Sequence, residues 1–94
     1  MTRSLVLIPA YNEEKTIEPV LTDLLALNIE GDILVVNDGS TDQTARLAKA
    51  FPIIVLTHAT NLGYATALQT GFQFAVNKGY QTVIQFDADG QHSP

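Results

Sequence analysis

The chain has 94 residues, which is enough for one small domain. Hydrophobic residues make up 46% of it and charged residues 16%, proportions that favour a domain with a hydrophobic core over a disordered segment. The formal net charge of −5 argues against duplex nucleic acid as a partner, because binding to its phosphates requires a basic surface. The chain has no cysteine, which excludes a disulfide scaffold and a thiolate zinc site.

Four short runs rich in Val, Ile and Leu predict β-strands covered on both faces, as in a parallel sheet. They are Leu5–Ile8, Ile33–Val36, Ile53–Leu56 and Val83–Phe86. Apolar residues at helical spacing occupy the three intervals between these strands. In chain order they are Ile17, Leu21, Leu24 and Leu25; Ala45, Ala48 and Phe51; and Leu68, Phe72, Ala75 and Val76. This alternation, with right-handed crossovers, predicts a Rossmann-like, open parallel α/β sheet of four βα-type units.

Turn and cap residues divide the chain at the same places. Ser40 followed by Gln43 has the spacing of a capping box for the second helix. Pro52 ends that helix, Gly79 ends the third, and Pro19 fits only in the first turn of the first helix. No helix follows the fourth strand, so we expect residues 1–94 to be one incomplete domain, truncated after that strand.

Neither a secretory signal nor a membrane span is predicted. The apolar run behind Arg3 is short and lacks a small-residue cleavage site. Nowhere does an apolar stretch reach the roughly 18 residues that a membrane helix needs. We therefore expect a soluble, cytoplasmic polypeptide, whose contact with a membrane, if the full-length protein makes one, comes through segments after residue 94.

Polar residues follow each predicted strand. Ligands of open α/β sheets bind beyond the carboxyl ends of the strands, where the strand order reverses. The segments found there are Pro9–Glu14, Asn37–Asp42, Thr57–Tyr64 and Asp87–His92. Loops are polar in any protein, but four polar clusters at one edge of a sheet predict a binding site.

The Asp87-Ala88-Asp89 triplet is the most specific of these features. Residues two apart at the end of an extended strand point to the same side, so both carboxylates can face one point, where a cation or a shared proton must offset their repulsion. With Gln91 as a neutral oxygen donor, the set suits Mg²⁺ or Mn²⁺ rather than zinc. Such an ion would neutralise a departing diphosphate. A solvated acidic turn is the alternative interpretation.

Asp38 follows the second strand and has two interpretations. Its carboxylate can accept a hydrogen bond from a nucleobase N–H or a ribose hydroxyl, or it can form an Asx-turn that supports a Ser40 cap. Ser40 and Thr41 are interpreted as cap residues rather than nucleophiles, because no general base is identifiable beside them.

The aromatic, acidic and histidine residues of the other loops are less specific. Tyr11 can stack on a base or ribose and Glu13 can bind a sugar hydroxyl, or either can cap the first helix. We expect His58 and His92 to be plain loop residues, because no second nitrogen or sulfur ligand lies at metal-site spacing from them.

Four segments together resemble the family 2 glycosyltransferases, which are inverting enzymes of GT-A fold. The segments are IPAYNEE (8–14), VVNDGSTD (35–42), NLGYATALQTGF (61–72) and FDADGQHSP (86–94). They occur in family order and span the chain. The continuation of the acidic motif into Gln-His most resembles the branch that includes dolichyl-phosphate and undecaprenyl-phosphate sugar transferases.

The resemblance implies a site for a nucleoside-diphosphate sugar. The residues matched to donor binding are Pro9, Ala10, Tyr11, Glu13, Val36, Asp38, Asp87, Ala88 and Asp89. Those matched to a Mg²⁺ or Mn²⁺ cofactor are Asp87, Asp89 and Gln91. No catalytic residue is matched within this chain, because the acceptor-binding half and the catalytic base of the family come after the point where it ends. Asn37 stands where the family often has Asp.

The predicted function is metal-dependent transfer of a sugar, a hexose in the type resembled, with inversion of its anomeric carbon. The expected acceptor is a polyprenyl phosphate or a saccharide, and we expect the chain alone to bind donor without turnover. A non-catalytic nucleotide-binding module is the alternative. A receiver-type signalling domain is disfavoured, because Thr57 and His58 stand where its phosphate-accepting Asp belongs. A nucleotidyltransferase is disfavoured because no Gly-rich basic loop follows the first strand.

Overall fold

The structure is a computed structural model that describes residues 3–28 and 30–89. Its elements in chain order are β1 (Ser4–Ala10), α1 (Ile17–Ala26), β2 (Asp32–Asn37), α2 (Thr44–Lys49), β3 (Ile54–Thr57), α3 (Tyr64–Lys78) and β4 (Thr82–Gln85). The predicted alternation of strands and helices is confirmed. β1 runs through Pro9, which a strand tolerates there because pairing with β4 has already ended at Leu7.

All four strands are parallel, in the order β3-β2-β1-β4. The chain moves outward from β1 through β2 to β3 and then returns across β1 to add β4 on its other side. The strand order therefore reverses between β1 and β4. Open α/β sheets bind their ligands in the crevice beyond the carboxyl ends of two such strands. We call this crevice the gap between β1 and β4.

Alternate residues of β1 enter two separate hydrophobic cores. Val6 and Ile8 pack with α1 and α2 on one face of the sheet, and Leu5 and Leu7 pack with α3 on the other. Burying one such aliphatic side chain contributes about 1.5–3 kcal/mol. The continuous apolar runs of β1 and β2 thus hold helices on both faces, which confirms the Rossmann-like α/β class. In the part of the chain described, no helix is both long and apolar enough to cross a bilayer.

The cap predicted for the second helix is wrong. α2 begins at Thr44, and its N-cap residue, Gln43, makes no side-chain cap hydrogen bond. The Asp42 carboxylate instead accepts the Thr44 N–H at 2.9 Å, while the Ser40 hydroxyl accepts the Asn12 N–H at 2.9 Å. Ser40 lies too far ahead of the helix to cap it and links two loops instead. The predicted place of Pro19, in the first turn of α1, is confirmed.

The amino edge of the sheet is held by side chains around the start of β2. The Tyr80 hydroxyl donates to Asp32 Oδ2 at 2.5 Å, and the Arg3 guanidinium lies 4.4 Å from the centre of the Tyr80 ring. Burial, followed by the hydrogen bond to Asp32, raises the pKa of Tyr80. The tyrosine is therefore a neutral hydrogen-bond donor at physiological pH.

Gly39 allows the segment after β3 to approach the end of β2. Its φ is +69°, and an added Cβ would lie 2.2 Å from the Thr60 carbonyl carbon and 2.4 Å from the Asn61 nitrogen. Both obstacles are backbone atoms, so a rotamer change relieves neither. Gly39 is therefore required for these two loops to touch.

Replacing Gly39 by Ala should destabilise the protein far more than the same change at Gly79, the C-cap of α3. Both glycines have positive φ, but a Cβ at Gly79 meets nothing within 4 Å. We expect about 1 kcal/mol of left-handed strain at Gly79 and about 3 kcal/mol at Gly39, where overpacking adds to that strain. Urea denaturation of the two variants measures the difference, and equal losses would contradict the proposed loop contact.

Candidate functional site

A pocket of about 370 Å³ opens at the carboxyl edge of the sheet, over the gap between β1 and β4. Eight of the nine residues predicted to bind the donor line it, and the ninth, Val36, is buried in the core beneath α3. The other lining residues come from the start of α3 and the loop before it: Asn61, Gly63, Tyr64 and Ala67. The topology thus brings the predicted segments to one place, while their contact with a donor stays a prediction.

A larger groove of about 820 Å³ runs along the outer side of α3. Apolar and uncharged polar residues, among them Leu56, Phe72 and Val76, line it, and no ionisable side chain of the described residues does so. The pocket at the strand ends has Glu13, Asp87 and Asp89 in its lining. The smaller cavity is therefore the one with ionisable groups that could take part in binding or catalysis.

The acidic triplet follows a strand, as predicted, but it does not continue the extended conformation that was expected to point both carboxylates to the same side. β4 ends at Gln85, and Ala88 and Asp89 form a turn. Ala88 is buried in the core on the α1 side, and its carbonyl accepts the Thr16 hydroxyl at 2.8 Å. The turn is therefore anchored at its middle residue, and Asp87 and Asp89 on either side of it both line the pocket.

The acidic turn brings two carboxylates, those of Asp87 and Asp89, to the pocket. Asp87 is partly buried and Asp89 is exposed. Within residues 3–28 and 30–89 no three acidic, histidine or cysteine side chains converge closely enough to hold a metal ion. Gln91 and His92 lie outside the described residues. The described residues that line the pocket offer carboxylate oxygens and no imidazole or thiolate, and ligands of this type are the ones that Mg²⁺ and Mn²⁺ prefer.

Asn12 fastens the loop after β1 to the loop after β2. It has a φ of +52°; its N–H donates to the Ser40 hydroxyl, and its side-chain oxygen accepts the Thr41 N–H at 2.9 Å. The next residue, Glu13, donates its N–H to the Thr44 hydroxyl at 2.8 Å. No role could be predicted for Asn12 from the sequence, because its partners are remote along the chain.

The N-cap residue of the first helix is Thr16, so Tyr11 does not cap this helix. Glu13 does contact the start of the helix: its carbonyl accepts the Ile17 N–H at 2.9 Å, and its carboxylate lies 3.2 Å from the Thr16 hydroxyl. Tyr11 is 44% exposed and lines the pocket. The capping interpretation of Tyr11 is therefore wrong, whereas Glu13 contacts the start of the first helix. The ligand-binding interpretation of both residues stays a prediction.

Asp38 is only 3% exposed and accepts four hydrogen bonds from the protein. Its Oδ1 accepts His58 Nδ1 at 2.7 Å and the Leu62 N–H at 2.9 Å. Its Oδ2 accepts the Asn61 side-chain amide at 3.0 Å and the Gly63 N–H at 2.8 Å. A carboxylate has about four lone-pair positions, so protein donors fill those of Asp38.

The predicted Asx-turn belongs to a different residue. The Ser40 N–H is bound by the side-chain oxygen of Asn37 at 3.2 Å, not by Asp38. Asn37, noted in the sequence only as a departure from the family pattern, is thus the residue that supports this turn. The neighbouring Asp38 carboxylate is free of that task and turns toward the loop after β3.

His58 is not a plain loop residue. Its side chain is 12% exposed, and its Nε2 lies 2.8 Å from the Thr70 hydroxyl of α3. Because a carboxylate can only accept, Nδ1 carries the proton that Asp38 binds, and in the neutral ring Nε2 accepts from Thr70. The imidazole thus connects the end of β2 to α3. Metal-site spacing could not reveal this role, since both partners of His58 are hydrogen-bonding groups of the protein.

Tyr64, the first residue of α3, closes the wall of the pocket toward β4. Its hydroxyl accepts a hydrogen bond from the side-chain amide of Gln85 at the end of that strand. The wall formed by Asn61, Gly63 and Tyr64 is therefore held from β2 through Asp38 and from β4 through Gln85. These wall residues belong to one of the four polar segments predicted to form a site, but no individual role was predicted for them.

Replacing Asp38 by Asn should lower the free energy of unfolding by about 1–3 kcal/mol at pH 7, because an amide NH₂ would face the donors that Oδ2 now accepts. Burial alone would raise the pKa of Asp38, but the hydrogen bonds from His58, Leu62 and Gly63 together lower it. The stabilisation by Asp38 is therefore complete above the unfolded-state pKa of about 3.9 and is lost as pH falls through the lower folded-state value.

Urea denaturation at pH 7 and at pH 3 measures this effect. The difference between the wild-type protein and the Asp38→Asn variant should shrink at the lower pH. Asp23→Asn, on the exposed side of α1, removes the same charge as a control. An undiminished difference at pH 3 would show that the carboxylate charge is not what holds the loop.

Comparisons with known proteins identify the family of the chain. The sequence profile described as Glycosyl transferase family 2 matches residues 5–94. The chain is 35% identical to the UDP-N-acetylglucosamine–dolichyl-phosphate N-acetylglucosaminyltransferase of Methanococcus voltae, over 95% of this chain and 42% of that protein. It is 33% identical to the polyprenol monophosphomannose synthase of Mycolicibacterium smegmatis, over 98% of this chain and 37% of that protein.

A solved structure has the same architecture. It is the mannosyltransferase PcManGT of Pyrobaculum calidifontis in complex with GDP-Man and Mn²⁺, with a TM-score of 0.76 and 29% identity over 93% of this chain and 27% of that one. The chain thus spans about two-fifths of the length of the two curated relatives. Because the family profile matches residues 5–94 and the structure superposes on this neighbour with a TM-score of 0.76, the chain belongs to glycosyltransferase family 2 and has its GT-A fold.

Proposed function

We propose that the protein containing this chain transfers a sugar from a nucleoside-diphosphate sugar to an acceptor, using a divalent cation. The pocket at the strand-order reversal carries this proposal, because it joins the loop after β1 and the acidic turn in one cavity of about 370 Å³. That volume is within the range of roughly 300–1,000 Å³ that small-molecule sites occupy. Family membership and the neighbour solved with GDP-Man and Mn²⁺ support the same function.

We assign the two ends of the donor to two sides of the pocket. The exposed ring of Tyr11 stacks on the base or ribose, and Glu13, partly buried beside it, accepts a sugar hydroxyl. Asp87, Asp89 and Gln91 hold Mg²⁺ or Mn²⁺ at the diphosphate. When bound, this ion neutralises the charge that develops on the leaving group. The remaining predicted donor contacts are Pro9, Ala10, Val36, Asp38 and Ala88.

A polyprenyl phosphate is the acceptor we propose, with a saccharide as the alternative, and the anomeric carbon of a hexose is inverted. The names of both curated relatives include a polyprenol or dolichyl acceptor, which supports this assignment. A phosphate oxygen is already ionised near neutral pH, so it requires a weaker base than a hydroxyl does. We propose that the protein works in the cytoplasm, where a lipid acceptor would place the reaction at a membrane face.

Residues 1–94 are, in this proposal, the nucleotide-sugar-binding part of a longer GT-A domain. The chain covers 42% and 37% of the two relatives, and this partial coverage supports an acceptor-binding part that lies elsewhere in the longer protein. We therefore assign donor binding to this chain and place the catalytic base outside it. The chain alone would bind donor weakly and transfer no sugar.

Asp87→Asn and Asp89→Asn should each weaken the Mn²⁺-dependent affinity for UDP or GDP by roughly tenfold or more, because each removes a carboxylate that faces the ion. Calorimetric titration of the complete protein, with Mn²⁺ and with chelator, measures this. Asp23→Asn is the matched control for loss of one charge. Nucleotide affinity that neither chelator nor these substitutions change would exclude the proposed metal role.

Incubating the complete protein with labelled UDP- and GDP-sugars, Mn²⁺ and undecaprenyl phosphate should move the label into the organic phase. The 94-residue chain under the same conditions should bind nucleotide but transfer none. Label recovered on an added saccharide would replace the lipid acceptor by the alternative. Nucleotide binding without transfer to any acceptor would identify a binding module and overturn the proposed activity.

A further inference from the structure

His58 connects three parts of the molecule without lining the donor pocket. Its N–H donates to the Asn37 carbonyl at 2.9 Å, which places it directly beyond the paired ends of β2 and β3. From there its ring reaches Asp38 on one side and Thr70, on α3, on the other. A side chain with this placement can fix α3 relative to the sheet.

The Asp38 carboxylate binds both the His58 ring and the segment that forms the pocket wall, so the position of the ring affects the position of the wall. His58 and the Leu62 N–H share Oδ1, while the Asn61 amide and the Gly63 N–H share Oδ2. The segment 58–63 has no helix or strand of its own, and α3 begins without a side-chain cap hydrogen bond at Gly63. The carboxylate is therefore the group that orders this segment, and its rotation would displace the wall.

The imidazole limits that rotation. Its ring is held at both nitrogens, by Asp38 and Thr70, and its backbone by β2. Removing the ring leaves Oδ1 with one protein donor and frees the carboxylate to turn about its Cβ–Cγ bond. The effect falls on Leu62 and Gly63, because their N–H groups must follow the oxygens that they bind.

The arrangement of Asp38, His58 and Thr70 also has the order of a nucleophilic triad, with Thr70 facing the groove along α3. Acyl transfer needs N–H donors for an oxyanion beside the nucleophile. Thr70 lies in the middle of α3, where the neighbouring N–H groups donate to the preceding turn of the helix. The geometry therefore favours positioning over covalent chemistry.

We propose that His58 is a positioning residue for the donor pocket. Through Asp38 it fixes the backbone of Leu62 and Gly63. It thereby fixes the pocket wall, which also contains Asn61 and Tyr64. The inference rests on the proposed function for its effect on donor binding, but its effect on the wall does not depend on that function.

Three variants of the complete protein test the inference. His58→Ala removes both ring contacts. His58→Asn retains an amide donor close to the Nδ1 position and should restore the bond to Asp38. Tyr80→Phe removes a hydrogen bond to another aspartate, Asp32, at the amino edge of the sheet, and is the control for a general loss of stability.

Amide hydrogen exchange at Leu62 and Gly63, without nucleotide, reports on the wall itself. We expect exchange to become about tenfold faster in His58→Ala, to return close to the wild-type rate in His58→Asn, and to change little in Tyr80→Phe. Unchanged exchange in His58→Ala would overturn the inference even if the protein transfers sugar.

Affinity for UDP or GDP with Mn²⁺ reports on the consequence for the donor. We expect His58→Ala to raise the Kd, and the KM for the donor, about tenfold, with His58→Asn within about threefold of wild type. A wild-type protein that binds no nucleotide would overturn the proposed function alone, and exchange would then decide the inference. Faster exchange with an unchanged Kd would overturn the role of His58 in donor binding.

Discussion

The Asp38 carboxylate is almost excluded from solvent, and the segment between β3 and α3 is arranged around it. Its four hydrogen bonds come from a ring nitrogen, a side-chain amide and two backbone N–H groups. Desolvating a carboxylate is costly unless such donors replace water. Each donor is therefore needed for the burial of the charge, and the charge in turn is needed to hold a segment that has no secondary structure.

The parallel sheet supplies the rigid frame to which this segment is attached. The order β3-β2-β1-β4 places the end of β2, with Asp38, beside the end of β1, and the acidic turn after β4 on the far side. Segments more than seventy residues apart in sequence, such as Thr16 and Ala88, meet across the gap. The site is thus a consequence of the crossover back over β1.

Much of the frame could be predicted from the sequence, because strands buried on both faces have continuous Val, Ile and Leu runs and leave little ambiguity. The cap on α2 was predicted wrongly, since a local Ser-x-x-Gln spacing cannot reveal that Asn12, remote in sequence, takes the Ser40 hydroxyl. His58 was misjudged for the same reason: its partners come from β2 and α3. Long-range hydrogen bonds leave no periodic signal, whereas packing does.

The hydrogen bond from the Thr16 hydroxyl to the Ala88 carbonyl attaches the acidic turn to the N-terminus of the first helix. Thr16 is the N-cap of α1, and α1 buries Ile17, Leu21 and Leu24 against the sheet. A displacement of the turn would have to strain this hydrogen bond or tilt a helix that is embedded in the core. The backbone between Asp87 and Asp89 is consequently held in place by the packing of residues about seventy positions earlier in the chain.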